Sequence, residues 1–221
     1  GVHLGHQHLI KKIIKNAKLN QLRSAILTFV PHPKIYFNRT SDNFNIIMND
    51  DKKKLLNLLG VENYIEYKFN KLLSSLNPKS FIEKILVEQL HVKKIVVGKD
   101  FRFGKDRAGD TTLLKKMSQK FGYKLSIIGD VKNKTTNTKF SSSTIRKNIH
   151  QGSFEKVSQA LGRNWFMEGK IIKGNQKARL INFPTANMKP GKHILPKKGV
   201  YCVNVKFRGN LYKGVANFGE R

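Results

Sequence analysis

The chain opens Gly1-Val2-His3-Leu4-Gly5-His6-Gln7-His8, and the run behind it, Leu9-Ile10-Lys11-Lys12-Ile13-Ile14, has helical spacing. The pattern predicts a tight turn that opens a helix, with His3 and His6 both near the helix N-terminus. Unpaired backbone N–H groups and the macrodipole favour an anion there. Gly5 leaves no side chain between that backbone and an approaching ligand. Imidazoles can donate hydrogen bonds to phosphate oxygens without carrying a fixed full charge. The chemistry suggested is a nucleotide triphosphate site. The competing reading is a surface turn with scattered histidines, and these few residues alone do not separate the two.

Working outward, residues 7–20 read as a helix with Leu9, Ile10, Ile13, Ile14 and Ala17 apolar, and residues 24–30 read as a buried strand. Pro31-His32-Pro33 makes a rigid, non-helical loop at the strand's carboxyl end. Open α/β sheets bind ligands at that edge, so His32 can face the same pocket as His3 and His6. Residues 34–50 read as an irregular polar loop. A helix is expected from Asp51 to Leu59 with Gly60 as its cap, then a strand over 61–67. Pro78 to Leu90 is a second amphipathic helix, and 92–97 a second β-branched strand.

That strand runs into Gly98-Lys99-Asp100-Phe101-Arg102-Phe103-Gly104. Asp100 and Arg102 can hydrogen-bond a polar ring edge, and Phe101 or Phe103 can pack on an aromatic ligand or fill core. A helix over 112–121 and a strand over 125–128 follow. Next, Ser142-Ser143-Thr144-Ile145-Arg146 starts another helix. Its hydroxyls, its first backbone N–H groups and Arg146 make a second anion cradle.

Helices alternate with buried strands to residue 160, the pattern of an α/β domain over a largely parallel sheet. From Gly162 onward, glycines punctuate short β-rich runs, which predicts a small β-barrel. Within it lies Asn182-Phe183-Pro184-Thr185-Ala186-Asn187. Thr185 and Asn187, two residues apart on an extended segment, are hard oxygen donors suited to Mg2+ with phosphates.

The 221 residues carry 43 basic and 14 acidic side chains, a net charge of +29. The lysines are spread along the whole chain rather than gathered into an arm, which favours solvated surfaces over a nucleic-acid partner. No apolar run reaches transmembrane length. One cysteine, Cys202, excludes an intramolecular disulfide and fits a reducing, cytoplasmic setting.

In order along the chain, several motifs resemble those of the prokaryotic bifunctional riboflavin kinase/FAD synthetase family. They are Gly-Val-His-Leu-Gly-His (1–6), Thr28-Phe29-Val30-Pro31-His32-Pro33, Val97 to Gly104 with Arg107 and Gly109-Asp110, and Ser142 to Arg146. Leu161-Gly162-Arg163, Phe183 to Asn187, Gly199-Val200-Tyr201 and Val215 to Gly219 complete the set. The resemblance implies a Rossmann-like nucleotidyltransferase domain over 1–160 and a small β-barrel riboflavin kinase domain over 161–221, incomplete at its C-terminus. It implies transfer of AMP from ATP to FMN, giving FAD and pyrophosphate, and ATP-dependent phosphorylation of riboflavin to FMN. His3 and His6 would contact ATP phosphates and stabilise the transition state, with Gly5 at the phosphate site. Ser143, Thr144 and Arg146 would hold the leaving pyrophosphate. His32, Asp100, Phe101, Arg102 and Phe103 would contact flavin or nucleotide, and Thr185 and Asn187 would bind Mg2+ and phosphates. The expected partners are ATP, FMN and riboflavin, with no nucleic acid and no membrane.

The chain departs from the family at Ala178 and Asn182, where glycines are usual, which puts kinase activity in question. It starts inside a motif, without the strand that normally anchors the histidine turn, and it stops at Arg221, before the family's catalytic glutamate. The expectations are a weakly held turn and no phosphorylation of riboflavin by this stretch alone. Two alternatives remain open. One is another nucleotidyltransferase with the same histidine signature, of cytidylyl or adenylyl type. The other is a basic RNA-binding protein, supported by the charge and by Lys116-Met117-Ser118, which imitates a loop of class I aminoacyl-tRNA synthetases.

Overall fold

The structure, a computed structural model, describes residues 1–39, 43–133, 137–173 and 185–219. Contacts divide the chain into two units: Gly1–Asp42 with Met48–Ser141, and Asn43–Ile47 with Ser142–Arg221.

The first unit begins with helix α1 (Leu4–Leu19), capped by His3 and turning Ile10 and Ala17 inward. Strand β1 (Ala25–Val30) follows. His32 and Pro33 then start a short helix, α2 (Pro33–Tyr36), inside the stretch expected to be a loop. Helix α3 (Asn49–Leu58) carries Asp50 and Asp51 in its first turn, where carboxylates suit the dipole. It leads to β2 (Asn63–Lys68), which pairs parallel with β1 from Ala25↔Asn63 to Val30↔Lys68.

Helix α4 (Lys71–Ser75) is capped by Asn70. The amphipathic helix expected from Pro78 takes a different form. A single α turn, α5 (Pro78–Ser80), runs on as a π-helix over Phe81–Gln89, which still buries Phe81, Ile82, Ile85 and Leu86. Strand β3 (Lys94–Gly98) connects through α6 (Thr111–Phe121) to β4 (Lys124–Ile128). The two strands pair in parallel, from Lys94↔Lys124 to Gly98↔Ile128. Asp110 caps α6 and left-handed Gly122 (φ 72°) ends it, while Met117 is buried on its inner face. Met117 is therefore core, not part of a flexible synthetase-type loop.

The parallel pairing agrees with the sequence reading, although the described strands form two separate two-stranded ladders rather than one sheet. One core packs Phe81, Ile82, Val97, Phe103 and Leu114 together. A smaller one joins Val2, Ile10, Leu56 and Val61.

The second unit contains α7 (Ser142–His150) and α8 (Phe154–Leu161). Ile145, Ile149, Val157 and Leu161 pack with Ile194 and with Ile46. Ile46 comes from the strap 43–47, a segment that sequence patterning placed in a polar loop. Its Phe44, Ile46 and Ile47 are buried. Strand β5 (Lys170–Ile172) pairs antiparallel with β6 (Asn187–Lys189), and β7 (Gly199–Phe207) with β8 (Asn210–Phe218). Among the described residues no pairing joins these two hairpins, so a closed barrel is not seen.

Arg208 and Gly209 form the β7–β8 turn, both at positive φ (47° and 86°). Two-residue hairpin loops of this kind match the twist of the strands they join, and Asn-Gly is their preferred pair. Arg208→Asn should therefore stabilise the protein by roughly 0.5–1 kcal/mol, since a residue with a Cβ and a long chain is disfavoured in the left-handed region. Denaturant melts of the two proteins check this; an unchanged or lower midpoint would remove the argument.

Candidate functional site

Nδ1 of His3 accepts the backbone N–H of His6 at 3.3 Å, so the first of the two histidines is the helix cap. Serving as acceptor at Nδ1, a neutral His3 carries its proton on Nε2 and can donate from there. The two rings stack at 3.8 Å between centroids and 19° between planes. Gly5 leaves room for that arrangement: a Cβ there would lie 3.1 Å from both Cε1 and Nδ1 of His3, and the ring would have to give by a few tenths of an ångström. The turn is supported from beneath. Val2 is buried, the Gln7 side-chain amide donates to the Val2 carbonyl at 3.1 Å, and the Gln7 N–H donates to the His3 carbonyl at 2.9 Å.

Burial pushes the His3 pKa down to about 4, and the positive charge of Lys139 adds to the effect. His6 is lowered as well, by desolvation first and by repulsion from His3 second. Its side chain still reaches solvent. Both rings are therefore neutral at neutral pH. Proton linkage gives a sign. Between the unfolded histidine value near 6.5 and the folded value near 4, the unfolded chain binds more protons. Stability from His3 is full above that window and falls as pH drops through it, by at most about 1.4 kcal/mol per pH unit. His3→Asn keeps a capping side chain. It should flatten the acid limb of a stability-versus-pH curve, and an unchanged limb would count against the His3 assignment.

The loop after β3 is fixed by ion pairs. Asp100 pairs with Lys139, which also contacts Asp130 at 2.6 Å, and Lys99 contacts Asp130 at 2.8 Å. Hydrogen bonds from Lys139 and then Lys99 hold the Asp130 carboxyl below its usual range. Lys99, Asp130 and Lys139 did not stand out in the sequence. They are separated by a polar loop whose spacing carries no signal, and only the parallel β3–β4 ladder places Lys99 beside Asp130.

Arg102 is paired with Asp110 at 3.0 Å, and Asp110 also caps α6. Phe103 is core: it is 6% exposed and packs on Phe81. Phe101 stacks on Phe103 at 5.5 Å and is 38% exposed, so it is the aromatic of this pair left available to a ligand. His32 is exposed and its Nδ1 caps α2, accepting the Lys34 N–H at 3.1 Å.

In the second unit, Ser143 and Thr144 are exposed in the first turn of α7. Arg146, one turn further in, is half-buried. Its Nε donates to the Phe44 carbonyl at 3.0 Å, and its guanidinium lies 3.6 Å from the centroid of the Phe44 ring. Burial lowers its pKa to about 10, which leaves it charged at neutral pH. Phe44 was not singled out in the sequence. Thr185 is exposed just before β6, and Asn187 begins that strand, paired with Ile172. Ala178, Asn182, Phe183 and Pro184 lie outside the described residues. No group of three or more His, Cys, Asp or Glu suited to a metal ion occurs among the described residues.

Comparisons with known proteins bear on both units. The FAD synthetase family model matches residues 1–144, and the riboflavin kinase family model matches residues 161–221. A bifunctional riboflavin kinase/FMN adenylyltransferase of Buchnera aphidicola subsp. Acyrthosiphon pisum is 36% identical over 221 residues, covering 99% of this chain and 70% of that protein. The Bacillus subtilis protein of the same description is 35% identical over 223 residues, covering 100% and 69%. A crystal structure described as a macrolide-efflux protein from Streptococcus pneumoniae superposes with a TM-score of 0.86 at 28% identity, covering 99% of this chain and 70% of that one. Among the described residues here, no helix is long and apolar enough to cross a membrane.

Proposed function

The chain belongs to the bifunctional riboflavin kinase/FMN adenylyltransferase family, and on that premise we propose how its own residues serve the two reactions. In the first, a phosphate oxygen of FMN attacks the α-phosphorus of ATP. A new P–O–P link forms, the bond between the α-phosphorus and the α,β-bridging oxygen breaks, and pyrophosphate leaves with that electron pair. No covalent enzyme intermediate is required, because the FMN phosphate is already a nucleophile. Catalysis then rests on positioning and on stabilising the charge that develops.

The observation that carries this reading is the His3 cap at the start of α1. It leaves a neutral Nε2–H donor beside a helix N-terminus, with Gly5 leaving room for the His3 ring. We assign His3 and His6 to the ATP phosphates as hydrogen-bond donors in the transition state, not as metal ligands. Ser143, Thr144 and Arg146 are assigned to the leaving pyrophosphate. Phe101 and Asp100 are the residues of the β3 loop assigned to flavin or nucleotide. Arg102 and Phe103 support that loop, through Asp110 and the core respectively. His32 is assigned to the same ligands, and its Nδ1 serves the cap of α2.

For the kinase reaction we assign Thr185 and Asn187 to Mg2+ and the nucleotide phosphates. Two neutral oxygen donors suit an ion that keeps water and phosphate as its other ligands, and both side chains belong to that chemistry. Bound there, Mg2+ would neutralise charge on the transferring phosphate. The antiparallel pairs β5–β6 and β7–β8 are the parts of the proposed barrel. The division into an adenylyltransferase over 1–160 and a kinase over 161–221 is likewise our reading, and so is a cytoplasmic setting.

Incubation with ATP and FMN, with FAD and pyrophosphate measured, tests the first assignment. AMP appearing on another acceptor, with no FAD, would return the chain to a different nucleotidyltransferase. Riboflavin and ATP assayed for FMN test the second.

A further inference from the structure

Arg146 is held on two sides before any ligand arrives. Its Nε is taken by the Phe44 carbonyl at 3.0 Å, and one face of its guanidinium rests on the Phe44 ring at 3.6 Å. A planar guanidinium bonded at Nε and stacked on a ring has its plane and its direction fixed. What these two contacts leave is its outer edge, the terminal nitrogens that bind phosphate oxygens in pairs.

Phe44 is itself anchored. It is 6% exposed and sits in the strap 43–47. The Asn43 side-chain amide donates to the carbonyls of Gly191 and His193, both at 2.9 Å. The Asn45 N–H donates to Lys192 at 3.2 Å, and its carbonyl accepts from Ile194 at 2.9 Å. The Trp165 indole N–H donates to the Ile46 carbonyl at 3.0 Å, and Ile46 packs with Ile145 of α7. Tied at each of these points, the Phe44 ring is the fixed partner and the arginine the guided one.

We propose that Phe44 is a positioning residue for adenylyl transfer, with the strap holding its ring and carbonyl so that Arg146 presents its outer edge to the leaving pyrophosphate. This rests on the assignment of Arg146 to pyrophosphate. A corollary is that Trp165 and residues 191–194, which fall within the riboflavin kinase match, support a residue of the other reaction through the strap.

The test is a double-mutant cycle on the full chain. The probe is inorganic pyrophosphate, followed by calorimetry, alongside KM for ATP and for FMN. Phe44→Leu should raise the pyrophosphate dissociation constant and the ATP KM about 5–10-fold, the loss expected of one cation–π contact. The FMN KM should stay the same, and Phe44→Tyr, which keeps the ring, should behave as wild type. In an Arg146→Lys background, Phe44→Leu should add less than about twofold, because the partner it guides is gone. Phe44→Met, which keeps an apolar side chain of similar reach, replaces Phe44→Leu if that variant does not fold. Equal effects of Phe44→Leu in both backgrounds would overturn the proposal, as would equal losses for ATP and FMN. Unchanged pyrophosphate binding by Arg146→Lys itself would overturn the assignment of Arg146 instead, and the proposal with it.

Discussion

His6→Ala should leave the chain folded and cut kcat for FAD formation by about 10²–10³-fold, the scale for loss of one preorganised donor to transition-state charge. The expected size follows from the site's economy. Adenylyl transfer here has no nucleophilic side chain to lose, so hydrogen bonds to the reacting phosphates carry much of the rate. His6 is the sharper of the two histidines to remove. His3 caps α1 and is buried, so its loss mixes folding with chemistry, whereas His6 reaches solvent and accepts no capping bond in α1. The measurements are initial rates of FAD formation at saturating ATP and FMN, with a thermal melt as control. A kcat within about tenfold of wild type would remove His6 from the transition state. Loss of rate together with a collapsed melt would mean that the ring stack is structural.

Gly104→Ala is expected to damage folding severely. Gly104 has φ 73° and ψ −179°, a region that is essentially closed to residues with a Cβ. An added Cβ would also lie 2.8 Å from Cα of Pro78 and 2.9 Å from its nitrogen. Those are backbone atoms at the start of α5, held by the next residue, since the Lys105 N–H donates to the Leu76 carbonyl at 2.8 Å. Neither side can give way cheaply. Strain and overpacking together should cost about 3–5 kcal/mol. For a domain of this size that corresponds to a fall in melting temperature of roughly 6–20 °C. The flavin-side loop should loosen with it, since Phe103 is the neighbouring core residue, so the FMN KM should rise more than the ATP KM. A melting temperature within about 2 °C of wild type would refute the packing argument.

Much of the fold was legible because the signals were local. The β-branched runs at 24–30 and 92–97 and the apolar stripe of α6 are periodic patterns that few other structures satisfy. The same patterns say nothing about which strands pair, and the single sheet expected from them is two parallel ladders among the described residues. The π-helix at Phe81–Gln89 was hidden for a similar reason: its buried positions fit an α-helical stripe equally well. His3, His6, Gly5 and Ser143 to Arg146, the residues proposed for phosphate, could be singled out because a helix start announces itself through residue type. Lys139 and Asp130 could not, because their partnership is made by a tertiary approach. Phe103 was ambiguous in the sequence, and burial settled it as core.

The strap carries a consequence for how the protein is made. Phe44 meets Arg146 across a separation of 102 residues, Ile46 meets Trp165 across 119, and Asn43 meets His193 across 150. On the ribosome, the strap emerges long before anything it binds. At about 5–20 residues per second, roughly 8–30 seconds pass before residue 193 leaves the peptidyl transferase centre. Phe44 and Ile46 wait for Arg146 and Trp165, and the strap is complete only once residues 191–194 arrive; closing such long loops is intrinsically slow. The nascent chain is thus exposed to chaperones, or to self-association, at one defined place. Codon choice between positions 48 and 193 becomes a lever on yield that no property of the finished protein would reveal.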